Sequence, residues 1–243
     1  ARLAEGPIHV VVVGDVTVDA AIASVASTFG ALPERSSEPR PAEGAAVRRF
    51  PAGTPEPLSL THSGPADQAL GYVAWPTTDA VQDRTPSRVV DILARVLDLR
   101  AGEEIRERQG LAYAPRVEAT ASETFSGYGL LNIRAEISPD ALPTFFETID
   151  ALAAQLRDEP VTEDELNRAR LPEIERLRRA QAGNEYWLSV LGDLAADPAE
   201  LEQITSRISD LEAITPADIQ SAAARYLVAD KAWRAGVTAA PAP

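Results

Sequence analysis

The sequence predicts an α+β fold, a two-layer sandwich in which a mainly antiparallel β-sheet is covered on one face by helices. Three observations predict it. Two pairs of short apolar segments, 58–63 with 69–75 and 113–123 with 128–137, are each joined by a few turn-forming residues, as in hairpins. In the last of these, Leu131, Ile133, Ala135 and Ile137 alternate with Asn132, Arg134 and Glu136, which gives the sheet one dry and one wet face. Apolar stripes at helical spacing are bunched between and after the two pairs.

Taken in order, residues 8–13 are a β-branched run ending at Gly14, the pattern of a buried strand. Ile22, Val25 and Phe29 then recur at helical spacing over 18–32, with Thr17 placed to cap the start and Gly30 and Pro33 to end it. A dinucleotide fold would need G-x-G-x-x-G at the intervening turn, and only Gly14 is present. Residues 36–57 carry Pro, Ala, Glu, Ser and Gly without an apolar period, so they read as a surface connection. Gly64, Pro65, Ala66 and Asp67 form a hairpin-like turn between the first two strands.

Thr85 and Pro86 start a helix whose apolar stripe is Val89, Ile92, Leu93, Val96 and Leu97. Gly102 is placed to break it, and Gly110 to cap its end in the left-handed conformation that other residues resist. After the second strand pair, Ser138 and Pro139 open a helix that buries Leu142, Phe145, Phe146, Ile149, Leu152 and Leu156. Thr162 with Glu165 three residues on is a capping box, and Pro172 should kink the helix it starts. Helical pattern continues over 200–213 and, from Thr215 and Pro216, to Tyr226; residues 231–237 supply a last strand.

The chain has 243 residues with 45% hydrophobic content, enough to bury a sizeable core. A net charge of -14 argues against nucleic acid, whose phosphates need clustered Lys and Arg. No run of about 18 apolar residues is long enough to span a membrane. With no cysteine there is neither disulfide nor thiolate chemistry. The absence of methionine, with Ala1 first, suggests a processed product or a piece of a longer protein.

Residues 105–113 read I-R-E-R-Q-G-L-A-Y, a charged helix end, a glycine stop and the start of an extended segment. This run resembles the R-E-K-x-G-L-A-Y segment of the pitrilysin/insulinase zinc peptidases, the family with the inverted H-x-x-E-H metal motif. Three other stretches fall in the family's order around it: V-V-V-V-G-D at 10–15 with Phe29 and Gly30, G-Y-V-A-W-P at 71–76, and V-T-E-D-E-L at 161–166. The resemblance covers nearly the whole chain and points to the C-terminal domain of the half that lacks zinc. It implies a single domain over 1–243, a two-layer α+β fold, and a partner, either an N-terminal half or a separate subunit, that carries the metal.

A catalytic zinc site wants three protein ligands, usually including two histidines on one helix turn. The only histidines are His9 and His62, with no H-x-x-E-H between them, so no metal or cofactor is expected on this chain and zinc is expected in the partner half. His62 beside Ser63 makes no triad either, because adjacent strand residues face opposite sides and no G-x-S-x-G elbow exists. The bland reading is a histidine at a hairpin end.

The resemblance assigns substrate-binding and transition-state roles to Arg106 and Tyr113, seven positions apart. A guanidinium can grip a peptide carbonyl or carboxylate, and a phenol can donate to an oxygen that becomes negative during hydrolysis. The competing reading pairs Arg106 with Glu103 on the helix surface and leaves Tyr113 as a core-edge aromatic. Glu104, Glu107 and Arg108 read as a solvated helix face. Arg168, Arg170, Arg176, Arg178 and Arg179 interleave with Glu165, Glu173 and Glu175, the pattern of a salt-bridged exposed helix. Tyr186, Trp187 and Leu188 could line a peptide pocket, but an aromatic pair at helical spacing is more often core.

The expected function is the substrate-binding, zinc-free domain of an endopeptidase that cleaves unfolded peptides, inactive without its zinc half. Rival expectations are a non-catalytic scaffold subunit of the same fold and an unrelated acidic binding module. The Ala-, Arg- and Pro-rich composition suggests a bacterial source, periplasmic or cytoplasmic, with the periplasm slightly favoured.

Overall fold

The computed structural model describes residues 8–35, 48–81, 84–110, 115–192 and 200–240. The chain divides into two compact units, Ala1–Ala46 with Glu173–Ile208 and Val47–Pro172 with Ser209–Pro243.

The second unit holds the sheet. Among the described residues its strands are β1 (Leu58–His62), β2 (Ala69–Pro76), β3 (Arg116–Ala121), β4 (Gly129–Ile137) and β5 (Trp233–Ala239), in the order β1-β5-β2-β4-β3. The pairs β2–β4, β2–β5 and β3–β4 are antiparallel and β1–β5 is parallel, so the sheet is mainly antiparallel as expected. One expectation fails here. β1 and β2 are not a hairpin, because β5 lies between them and pairs with both. Short-range turn signals cannot reveal a strand that arrives from the far end of the chain.

Helices α2 (Thr85–Ala101), α3 (Leu142–Asp158) and α8 (Pro216–Tyr226) supply apolar faces to this unit. Phe145 and Ile149 of α3 are fully buried, as are Ile92, Leu93 and Leu97 of α2. Each such side chain contributes roughly 1.5–3 kcal/mol from removal of apolar surface from water. Gly71 sits under the Phe145 ring; a Cβ there would stand 2.5 Å from it, so β2 can lie close to α3 only with glycine at this position. The odd-numbered residues of β4 from Leu131 to Ile137 are buried, while Arg134 and Glu136 point to the face away from the helices and are exposed.

The helix over α4 (Glu163–Gln181) runs through Pro172 without ending there. Its predicted capping box is half formed. The Glu165 amide donates to Thr162 Oγ1 at 3.2 Å, but the Glu165 carboxylate takes Arg100 instead, with Arg100 Nε and Nη2 donating at 2.6 and 3.0 Å. A bidentate charge-assisted pair outcompetes a neutral amide. At α8 the reciprocal box is complete, Thr215 with Asp218.

In the first unit, α1 (Val18–Ser27) is capped by Thr17 Oγ1 and followed by a 3₁₀ turn at Phe29–Ala31. The structure corrects the reading of 8–13: these residues form no strand and pair with none among the described residues, and Ile8, Val10 and Val12 are exposed. β-branched propensity reflects fit to a pleated surface, and without a paired neighbour it does not make a strand. Nor does the stripe of α1 form a core, since Ile22 is 61% exposed and no residue of the helix is buried. Further along this unit lie α5 (Asn184–Leu191), α6 (Glu200–Thr205) and the start of α7 (Arg207–Ala213). In α5, Trp187 is half-buried; it stacks edge-on with Tyr186 and its Nε1 donates to the Gln181 carbonyl at 2.8 Å.

Candidate functional site

The site is built where α2 ends. Past Ala101 the helix widens into a π turn over Gly102–Arg108, closed by the Gln109 amide donating to the Glu104 carbonyl at 3.0 Å. Gly102 was expected to break the helix; instead the chain stays helical with wider turns. Leu93, Leu97, Ala101 and Ile105 show why. Each lies four residues after the last, and all are buried. In an α-helix of 3.6 residues per turn, fourfold spacing drifts round the helix with every step. A turn closed one residue later cancels that drift and keeps Ile105, fully buried, against the core. Gly110 then takes φ +63°, the left-handed cap predicted for it.

Arg106, next to the buried Ile105, is exposed, and its Nη2 donates to Glu107 Oε1 at 2.8 Å. The expected alternative partner, Glu103, belongs to Arg108, which also holds Glu104, at 2.6 and 2.9 Å. Those two carboxylates raise the Arg108 guanidinium above its ordinary value, the hydrogen bond to Glu104 most of all. Tyr113 lies outside the described residues, so its distance to Arg106 is not part of the geometry.

Behind Arg108 a polar cleft of about 580 Å³ opens between the π turn, α3 and the start of α4. Thr148 on its floor donates to Gln109 Oε1 at 3.2 Å, and Gln109 Nε2 donates to Glu104 Oε1 at 2.9 Å, so one wall is a chain of hydrogen bonds. The Arg100–Glu165 pair closes one end. Arg106 is not among the cleft's lining residues, and the sequence carried no signal for this cleft because its walls come from three separate helices.

On the other side of α2, Asp98 Oδ1 accepts the Val117 amide at 3.2 Å and so caps the outer edge of β3. Partial removal from water pushes the Asp98 carboxyl up, although the residue remains exposed, against the Val117 amide and the charges of Arg116, Arg95 and Arg106, which pull it down. A carboxyl raised on folding destabilises the native state once it ionises, and stability recovers as pH falls through its raised value. Asp98→Asn keeps the acceptor without the charge, so its melting temperature at pH 7 is expected to equal or exceed that of the wild type. Asp98→Ala loses the acceptor and should melt a few degrees lower. A large drop for Asp98→Asn would show that the charge itself is needed.

Asp79 shifts the other way. The amides of Val81 and Gly127 donate to its two oxygens at 2.9 and 2.6 Å and hold its carboxyl below the ordinary 3.8. The stability this gives is present above 3.8 and is lost as pH falls from there through the lowered value. A melting series from pH 6 to pH 2 should therefore fall more steeply for wild type than for Asp79→Asn in that acid window. Parallel curves would remove Asp79 from the account.

Neither histidine is placed for metal. His62 Nδ1 accepts the Gly64 amide at 2.8 Å, which leaves Nε2 to donate to the Gln68 carbonyl at 3.0 Å, so both nitrogens are spent on the turn after β1. No group of three or more His, Asp or Glu side chains among the described residues could hold an ion. The residues present do not fit a catalytic zinc. Along α4, Arg168 pairs with Asp164, Arg176 with Glu173 and Arg178 with Glu175, as the interleaved charges predicted. Arg170 departs from that pattern, donating to the carbonyls of Glu212 and Ile214 at 2.9 and 2.8 Å, and Glu173 is buried rather than solvated.

Residues 6–171 match the family described as peptidase M16 inactive domain. Among solved structures, the M16 inactive domain from Pseudomonas fluorescens aligns with a TM-score of 0.72 at 19% identity, over 94% of this chain and 53% of that one. A protease from Helicobacter pylori gives 0.75 at 13% identity, over 93% and 54%. The periplasmic protease PqqL from Escherichia coli gives 0.74 at 14% identity, over 93% and 25%. This chain thus spans about half the length of the first two and a quarter of the third. At these identities the likeness is one of fold. A search of curated proteins finds no match.

Proposed function

Because the chain belongs to the peptidase M16 inactive-domain family, we propose that it is the zinc-free, substrate-binding part of a peptidase of the pitrilysin/insulinase type. It is itself non-catalytic. Zinc and the water it activates would come from a companion half carrying H-x-x-E-H, in the same polypeptide or in a separate subunit. The two would enclose an unfolded peptide, and this chain's task is to hold it. Arg106 grips a peptide carbonyl through its fork of donors. Tyr113 donates its phenol proton to the carbonyl oxygen as that oxygen becomes negative.

The observation that carries this reading is the position of Arg106. It stands exposed at a helix end, anchored by the buried Ile105 before it and by the Gly110 cap after it. Among the described residues its ion pair is to the equally exposed Glu107, which a substrate can displace cheaply. A bacterial, periplasmic setting is the preferred location. The test is hydrolysis of an internally quenched peptide by the chain combined with its zinc-bearing half, comparing wild type with Arg106→Ala and Tyr113→Phe. No turnover by the wild-type pair with zinc bound would favour a scaffold of the same fold.

A further inference from the structure

The face of the sheet turned away from the helices is divided. Over β1 and β5 it is apolar, with Leu58 and Leu60 exposed. Over β3 and β4 it is charged, and the register there opposes two cations: Arg116 of β3 stands directly across from Arg134 of β4. Cβ atoms of directly opposed residues lie about 4.5–5.5 Å apart, and like charges so placed destabilise a sheet. Neither guanidinium is fully used. Arg134 gives one hydrogen bond, from Nη2 to Glu118 Oε1 at 3.2 Å, and Arg116 makes no ion pair among the described residues. Both side chains are exposed.

The row continues onto β2, where Tyr72 lies on the other side of Arg134. Its ring packs edge-on against Trp233 at 5.8 Å, which braces the phenol. Burial holds the hydroxyl above its ordinary 10.0, although the Arg134 guanidinium pulls it down, so it stays a protonated donor. Tyr72, Arg134 and Arg116 thus line up across three adjacent strands, spaced about 4.7–4.9 Å apart. Such a row offers charge-assisted hydrogen bonds to a carboxylate.

We propose that this row is a subsite for an acidic side chain, Asp or Glu, of the peptide substrate. The proposal rests on the reading of the chain as the substrate-binding part of a peptidase. Asp98 ties the row to the candidate site. It accepts the Val117 amide next to Arg116, and the charges of both Arg116 and Arg106 reach its carboxyl. Arg116 also follows Tyr113 by three positions in the sequence. The occupant is a side chain rather than a C-terminal carboxylate. In a peptide cut internally the terminus lies at a distance that varies with length, whereas a side chain keeps its place relative to the bond. A carboxylate between the two guanidiniums also relieves their repulsion, which Glu118, bonded to Arg134 alone, does only in part.

The test gives the chain, combined with its zinc-bearing half, a set of internally quenched peptides amidated at the C-terminus. Glu is moved one position at a time through the residues flanking the scissile bond, each peptide paired with its Gln counterpart. At one position wild type is expected to prefer Glu by about three- to tenfold in kcat/KM, through KM, since exposed ion pairs are singly weak and two act together here. Arg116→Gln and Arg134→Gln should each bring that ratio towards one, and Tyr72→Phe should lower it less. Arg116→Glu should turn the preference to Lys at the same position. Arg116→Gln should melt no lower than wild type, because it removes a repulsion. Arg106→Ala should slow both members of each pair and keep their ratio. A ratio of one at every position, or one untouched by Arg116→Gln and Arg134→Gln, would overturn the subsite, while slowed turnover in Arg106→Ala would keep the wider reading. Dependence on Arg116 seen only with free-acid peptides would move the site to the C-terminal carboxylate and overturn the side chain as occupant. If the wild-type pair cuts nothing, fluorescence anisotropy reads binding of the same peptides. Tighter binding of a Glu peptide that vanishes in Arg116→Gln would then keep the site without the peptidase, and equal binding would overturn both.

Discussion

Arg106→Ala, in the chain combined with its zinc-bearing half, is expected to lower turnover of an internally quenched peptide by about tenfold to a thousandfold, the range seen when one preorganised donor to a developing charge is removed. The fold should not notice. Arg106 is exposed and its bond to Glu107 lies at the surface, where solvent screens an ion pair to little net value, so circular dichroism and melting temperature should match wild type. The split between constants identifies what the guanidinium does. If it grips the peptide equally in ground and transition states, KM rises with kcat unchanged; if it tightens only as the carbonyl oxygen becomes negative, kcat falls. Arg106→Lys keeps the charge but not the planar fork, and should recover only part of the loss. Tyr113→Phe removes one hydroxyl and should fall in the same range. Unchanged turnover in both would return Arg106 to the helix surface and Tyr113 to an aromatic packing role.

Several parts of this fold were legible because the signals are local. Thr17 and Thr215 cap helices through bonds spanning a few residues, and Gly110 ends one with a left-handed φ, each as read. The alternation in β4 predicts the exposure of Arg134 and Glu136, but Asn132, read with them on the wet face, is buried, its Nδ2 donating to the Glu118 carbonyl at 3.3 Å. What was misread depends on distant partners. β5 arrives from the far end of the chain to separate β1 from β2, and with it comes the apolar half of the open face. Glu165 looks like a capping residue until Arg100, on another helix, claims its carboxylate. The run at 8–13 has strand composition and, among the described residues, no strand neighbour. At the candidate site, Arg106 and Gly110 were readable from one decamer. The π turn that keeps Ile105 buried was not, because it answers to the drift of buried positions set up a dozen residues earlier.

Arg234→Met is expected to be among the most destabilising single changes in the second unit, by about 3 kcal/mol, because several acceptors lose their donor at once. Arg234 lies on the helix-covered face of β5 and is 6% exposed. Its Nη1 reaches the carbonyls of Thr54 and Ala229 at 3.2 and 3.4 Å, and its Nη2 donates to Asp150 Oδ1 at 2.7 Å. The same residue's amide donates to Thr54 Oγ1 at 2.7 Å, so one side chain and its backbone tie the segment before β1 to β5 and to α3. Methionine fills the volume but takes the donor from the part-buried Thr54 carbonyl and from Asp150, while the Ala229 carbonyl keeps the Ala232 amide at 3.1 Å; an acceptor left without its donor is the costly half of a broken hydrogen bond. Asp150→Asn should cost much less. Its side chain is 46% exposed, solvent already shares the charge, and the amide oxygen still accepts. In urea melts the two variants should therefore separate clearly, with Arg234→Met losing on the order of ten degrees in a thermal scan and Asp150→Asn a few. Equal losses would mean that the ion pair, rather than the carbonyl cluster, dominates. A near-neutral Arg234→Met would mean that packing of its aliphatic stem carries the site, and that the carbonyls find water when the guanidinium is gone.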